Sequence, residues 1–204
     1  MDRYSPKSPL NTLSIIRNDA HEYVAGIGLG LPCSYDKRTH TVSFSPLINL
    51  FDSVCILDLE QELQAKFGLP LVVENDVNMD VFGEYRVRKL SKTDLAYISL
   101  GTGLGAGVIL NGELRYGTNY QCGEIGYMIF ESDYIANLDN GGWLERRINL
   151  AALSERFGFD AITHTGCDMR PIIDYISNLV EIGIANFASI IDCGTVCLGG
   201  ILTR

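Results

Sequence analysis

The sequence predicts an α/β fold, on three observations. Apolar strand-length runs alternate with helix-like stretches over residues 22–89, and glycines with an Asn-Gly pair cut residues 94–117 into short strands. A long apolar helical stretch, Pro171 to Ile191, then leads into the strand-like "GTVCLGG". Alternation of this kind builds helices layered on sheets.

Taken in order, residues 1–22 read as a loose segment. "EYVAGIGLGL" (22–31) reads as a buried strand entering the turn "PCSYDKRTH", and "TVSF" (41–44) as a strand to pair with it. "DSVCILDLEQELQAKFGLP" reads as a helix with Asp52 or Ser53 at its N-cap, and Leu57, Leu59, Leu63 and Phe67 in its apolar set; Gly68 stops it and Pro70 follows. "LVVE" (71–74) is a short buried strand, and Asp76 to about Lys89 an amphipathic helix. Residues 94–117 give two strands around a glycine-rich turn, then a hairpin at Asn111-Gly112, where a type I′ turn needs positive φ twice. "GYMIF" (126–130) reads as a strand, residues 141–157 as short helices ending at Gly158, and Asp168 as a possible cap for the long helix.

The bulk numbers exclude several functions. With 204 residues, 47% hydrophobic and 20% charged, the chain has an ordinary globular composition. A net charge of −9 opposes a nucleic-acid groove, which needs clustered Lys and Arg; "RVRK" (86–89) reads as a solvated helix end. No membrane-length apolar run of about 18 residues occurs, and "MDRYSPKSPL" lacks the basic-then-apolar order of a signal peptide. Six cysteines without CxxC pairs suggest neither a zinc cage nor a disulfide scaffold, and a reducing, cytoplasmic setting is inferred. Cys193 and Cys197 read as small buried hydrophobes.

Four stretches carry candidate chemistry. "LVVENDVNMD" (71–80) breaks from apolar residues into Glu74, Asn75, Asp76 and Asn78, which either cap a helix or meet a ligand at a strand end. In "LGTGLGAG" (100–107), glycines 101, 103, 105 and 107 let backbone N–H groups approach an anion, with Thr102 adding a hydroxyl. It is neither a Walker A loop nor a dinucleotide fingerprint, and a tight turn with packing glycines is the other reading. "CGEIGYM" (122–128) sets Glu124 between glycines at the lip of a strand, as a ligand group or a solvated turn residue. "LGG" (198–200) suits either a flat ligand or close packing.

Together, "GIGLGLP" (26–32), "VENDVN" (73–78), "LGTGLGAGVILNGEL" (100–114), "GEIGYM" (123–128), "GGWLE" (141–145) and "CLGGI" (197–201) resemble, in order and spacing, the ROK family of repressors and sugar kinases. The resemblance runs from about residue 23 to the end. It implies the two-lobe actin-like ATPase (ribonuclease H-like) fold, with 23–92 the remainder of a first lobe and 93–204 the second. It implies that Asn75 and Asp76 grip a sugar, Asp76 taking the proton of the attacking hydroxyl in kinases, and that Glu124 bonds sugar hydroxyls. Gly101, Thr102, Gly103 and Gly105 correspond to a phosphate loop, and Gly199 and Gly200 to the nucleotide-side glycine pair. Asn78 either supports Asp76 or caps the helix.

Three departures qualify this. The family's GEIGH histidine is Tyr127, also a candidate sugar contact. The zinc signature is replaced by "FESDYIANLDNGGWLE", with Trp143 at the last cysteine's place, so no zinc is expected and an apolar Tyr127–Trp143 contact could replace its crosslink. No "DxGGTx" loop precedes residue 23, as in a fragment with an incomplete first lobe. The expected function is therefore the sugar-sensing effector-binding body of a ROK transcriptional regulator, not contacting DNA or membrane itself, and homodimeric. The alternative is an ATP- and Mg²⁺-dependent sugar kinase, or its remnant, with Asp76 as general base. No bound cofactor is expected in this fragment, and ATP with Mg²⁺ if it is a kinase.

Overall fold

The computed structural model describes residues 24–45, 48, 50–129, 142–158 and 168–203. The expected loose segment 1–22, the start of the first strand, most of "FESDYIANLDNGG" and Cys167 lie outside them. Nine strands and five α-helices occur among the described residues: β1 Ile27–Leu31, β2 Ser34–Asp36, β3 Thr41–Ser43, β4 Val54–Cys55, α1 Leu57–Phe67, β5 Leu71–Asn75, α2 Asp76–Val87, β6 Leu95–Leu100, β7 Leu104–Leu110, β8 Glu113–Leu114, α3 Glu145–Ile148, α4 Leu150–Phe157, α5 Arg170–Ile191 and β9 Val196–Gly199.

The strands form three sheets. β1 and β5 pair in parallel, with Leu31 opposite Asn75. β2, β3 and β4 make a small antiparallel sheet. The third has the order β8-β7-β6-β9, in which β6 and β9 are parallel and the other pairs antiparallel. The Asn111-Gly112 turn joins β7 to β8 with φ of 56° and 81°, as the hairpin signal predicts.

Helix α2 lies between the first and third sheets. Its Met79 reaches Gly28 and Gly30 of β1, while Val77 and Val81 press on β7. A Cβ on Gly107 would sit 2.5 Å from the Val81 side chain and 2.8 Å from the Val77 carbonyl oxygen, so only glycine lets helix and strand come this close. The largest apolar cluster lies on the other face of the third sheet, where β6 and β7 meet Ile125, Trp143, Leu144, Ile148 and the α5 residues Leu179, Val180 and Phe187. Val81 and Tyr85 of α2 pack with Leu95 and Ile109 on the near face.

Two local expectations differ. Helix α1 starts at Leu57, with Ile56 at the N-cap and no side-chain cap, not at Asp52 or Ser53. Val54 and Cys55 instead pair with β3, and a sheet partner outweighs a local capping signal. Of its expected apolar set, Leu63 and Phe67 are buried whereas Leu59 is exposed, and Gly68 ends the helix at φ 61°. "GYMIF" does not begin as a strand: Ile125–Tyr127 is a 3₁₀ turn, and Phe130 lies outside the described residues. At α5 the Asp168 carboxylate accepts the Arg170 N–H at 3.1 Å. Cys193 and Cys197 are half-buried and pack against separate apolar clusters.

Candidate functional site

In the parallel pairs β1/β5 and β6/β9, all four strands end on one cleft. Pro32, Cys33, Asn75 and Asp76 line it from the first pair, and Ser99, Gly101, Gly200 and Ile201 from the second. The carboxyl ends of parallel strands are where open α/β sheets present groups to ligands. The cleft has a volume of about 360 Å³.

Asn75 both caps a helix and faces the cleft. Its Oδ1 accepts the Asn78 N–H at 3.0 Å as the N-cap of α2, and its Nδ2 donates to the Cys33 carbonyl at 3.2 Å. Asp76 opens the helix and is exposed at the rim. Its carboxylate is nonetheless drawn far enough inward that desolvation raises its pKa, with Asp80 adding to the rise, while the Val77 N–H at 2.9 Å opposes it. Asn78 is buried and donates to Glu74 Oε1 at 3.1 Å, so its amide braces the strand end.

Glu124 immediately precedes the 3₁₀ turn, so it stands beside a helical turn and not at the lip of a strand. A Cβ on Gly123 (φ 95°) would overlap the Ala106 carbonyl oxygen at 1.7 Å, and one on Gly142 would overlap Gly126 oxygen at 2.0 Å. These approaches pull the turn against β7 and the start of α3 against the turn. They bring in Glu145, which lines the cleft and accepts the Leu104 N–H at 3.1 Å. Burial, then Glu145 and Asp76, push the Glu124 carboxyl up to about 7, and burial raises Glu145 too. Three carboxylates thus share one cleft.

Tyr127 lines the cleft with its ring, which packs on Phe44 at 5.2 Å between centroids. Its hydroxyl is buried without a hydrogen-bond partner. Arg147 lies over the buried Trp143 ring at 4.5 Å. A phenol and an indole at two positions of the family's zinc set do not fit that metal, and no group of three His, Cys, Asp or Glu among the described residues is arranged to hold one.

Gly101, Thr102, Gly103 and Gly105 line the cleft, as does Gly200; Gly199 is buried behind it, against the Tyr97 hydroxyl. The phosphate-cradle fit of the turn is partial. The N–H of Gly101 is bonded to Gly103 oxygen and that of Leu104 to Glu145, while Gly107 owes its missing side chain to α2 and Gly105 lies in contact range of Val77. What remains toward an anion is the exposed Thr102 and the half-buried Gly103.

Glu145, Phe44, Ser45 and Cys33 line the cleft without having been singled out from the sequence. The "GGWLE" motif held the only signal for Glu145. For the others no signal precedes the fold.

Comparison with known proteins places these features in a lineage. A putative xylose repressor from Caldicellulosiruptor sp. is 28% identical over 204 residues, covering 86% of this chain and 50% of that protein. A β-glucoside kinase from Listeria monocytogenes is 34% identical over 109 residues, 53% of this chain and 36% of that protein. The chain thus spans about half of the repressor and a smaller share of the kinase. A ROK family glucokinase from Streptomyces griseus, solved with glucose and AMPPNP, superposes with a TM-score of 0.70 at 23% identity, over 94% of this chain and 70% of that one. The fold is that of the actin-like ATPases. With the ROK family profile matching residues 9–204, the chain belongs to the ROK family.

Proposed function

We propose that the cleft binds a sugar, and that the chain is the effector-binding body of a ROK transcriptional regulator. The observation that carries the reading is the gathering of Asp76, Glu124 and Glu145 with Asn75 around one cleft. Carboxylates and an amide accept and donate to vicinal hydroxyls, and the Phe44–Tyr127 pair offers an apolar surface for a sugar's C–H groups. Tyr127 and Trp143, in place of the family's His and Cys, suit a body relieved of catalysis. The two lobes would be residues 23–92 and 93–204, with the cleft between them, and the assembly a homodimer.

The test is calorimetric titration of the purified chain with glucose, N-acetylglucosamine, xylose and fructose. Heat with one of them is expected, and Asp76→Ala is expected to abolish it. Affinity unchanged by Asp76→Ala defeats the assignment of the strand-end acid.

The alternative, a sugar kinase, is favoured by one observation: Thr102 and Gly103 face the same cleft as Asp76. Those two residues would hold a phosphate of ATP, with Mg²⁺ offsetting its charge. Asp76 would orient the sugar hydroxyl and receive its proton. Sugar-dependent ATP consumption supports this reading and overturns the regulator one; no consumption is expected.

A further inference from the structure

Of the buried polar residues among the described ones, Ser34, Ser45, Glu60 and Asn78, only Glu60 carries a charge. It stands in the first turn of α1 and does not line the cleft. Both its oxygens are taken: the Tyr35 hydroxyl donates to Oε1 at 2.8 Å, and His40 Nδ1 meets Oε2 at 2.8 Å. A carboxylate only accepts, so Nδ1 is the ring nitrogen that holds a proton toward it. Tyr35 is buried and its pKa is raised, first by burial and then by the bond to Glu60, so the phenol stays a donor. A carboxylate taken out of water is costly, and it persists where such bonds offset the cost.

The two partners sit on the β2–β3 hairpin, on either side of its turn. Tyr35 is opposite Val42 in the ladder. His40 precedes β3 at φ 53°, a left-handed conformation that a residue with a Cβ keeps only when its surroundings hold it. Its carbonyl accepts the Ile56 N–H at 2.8 Å, just ahead of α1, so backbone and ring are fastened to the same helix end.

The open end of the hairpin is at the cleft. Ser34 pairs with Ser43, which brings the chain at Cys33 beside Phe44, and Cys33, Phe44 and Ser45 all line the cleft. The Cys33 carbonyl accepts Asn75 Nδ2 at 3.2 Å, and the Phe44 ring packs on Tyr127 at 5.2 Å. Cys33, Tyr35 and Val42 also pack on Val73 of β5. Apolar packing is non-directional, so it holds the hairpin down without setting its angle. The directed bonds to Glu60 set that.

We propose that Glu60 is a positioning residue: by holding Tyr35 and His40 at once it fixes the angle of the β2–β3 hairpin on α1, and so the placement of Cys33, Phe44 and the Asn75 amide at the cleft. Its effect on affinity rests on the sugar-binding reading above. The clamp itself does not.

The experiment reads variants by calorimetry, with whichever of the four sugars the wild-type chain binds, and by amide hydrogen exchange without sugar. Tyr35→Phe/Glu60→Leu replaces the polar contact with apolar groups of similar size, a change that buried charged pairs often tolerate without loss of stability. Exchange should quicken over 33–45 while α5 is unchanged. Sugar binding is expected to weaken about tenfold, as for loss of a hydrogen bond to a charged group. Glu60→Gln still accepts from Tyr35 and can donate to His40, so it should bind within about threefold of the wild type. Wild-type affinity in the double variant overturns the proposal. So does a Glu60→Gln chain as weak as the double variant, because the cleft would then be responding to charge and not to the hairpin's angle. Should the double variant fail to fold, Tyr35→Phe decides in its place, weaker binding supporting the clamp and wild-type binding defeating it. If the wild-type chain gives no heat with any of the sugars, the sugar reading fails. Exchange over 33–45 then decides the clamp alone, faster exchange supporting it and unchanged exchange defeating it.

Discussion

Replacing Glu124 by glutamine turns the electrostatics of the cleft into a measurable stability. The Glu124 carboxyl stands at about 7 instead of 4.5, first because it is buried and then because Glu145 and Asp76 are near. Between those values the folded chain holds a proton that the unfolded chain has released. This carboxyl's contribution to stability therefore falls as the pH rises through this window, and only that contribution is gone once the pH exceeds 7. Moving one carboxyl across that range corresponds to about 3 kcal/mol. Glu124→Gln keeps the shape and removes the ionisation. Near pH 4.5 it should match the wild type, and at pH 8 it should be more stable by up to about 3 kcal/mol. For a chain of this size that is about 6–12 °C in the unfolding midpoint. Asp76 and Glu145, also raised, tilt both proteins the same way, so the difference between the two curves reports Glu124 together with its coupling to those two carboxyls. Thermal unfolding followed by circular dichroism from pH 4.5 to 8.5 reads it. Parallel curves, or a wild type that gains stability from pH 5 to 7, refute the argument.

Three other outcomes are expected. If sugar hydroxyls are accepted by ionised Glu124, calorimetric affinity should rise about tenfold from pH 6 to pH 8, following the ionised fraction, and the rise should be absent in Glu124→Gln. Gly107→Ala places a methyl against Val81 and the Val77 carbonyl, so it should destabilise by about 1–3 kcal/mol in urea unfolding. Adding Val81→Ala should recover only part of this, because the carbonyl remains. Tyr127→Phe deletes a buried hydroxyl without a partner, so stability should hold or rise by roughly 1 kcal/mol. Calorimetric sugar affinity should be unchanged, since the ring is what lines the cleft.

The strand end at residues 71–76 was legible because an apolar run breaks there into short polar side chains; Asn75 caps α2 and also lines the cleft. Gly68 and the Asn111-Gly112 hairpin were legible because each needs a backbone conformation few other residues tolerate. What failed depended on partners distant in sequence. Val54 and Cys55 look like the start of a helix until β3 pairs with them, and the apolar spacing around Ile125 looks like a strand until Gly123 and Gly126 fold it against β7. The alternating glycines after Leu100 carried two messages in one pattern, turn at Gly101 and Gly103, helix contact at Gly105 and Gly107. Composition cannot divide them. Glu145 reaches the Leu104 N–H from 41 positions away, and only the fold shows that distance closing.

Asn75 carries a last consequence. Because Oδ1 is held by the turn of α2 and Nδ2 by the Cys33 carbonyl, the amide sits in one rotamer before anything enters the cleft. Its unused lone pair and remaining hydrogen point in fixed directions, so little side-chain entropy is surrendered on association. An epimer differing at a single carbon would offer its oxygen elsewhere, and a frozen amide cannot turn to follow it. In the sugar-binding reading proposed above, stereochemical selectivity would be built into a capping interaction.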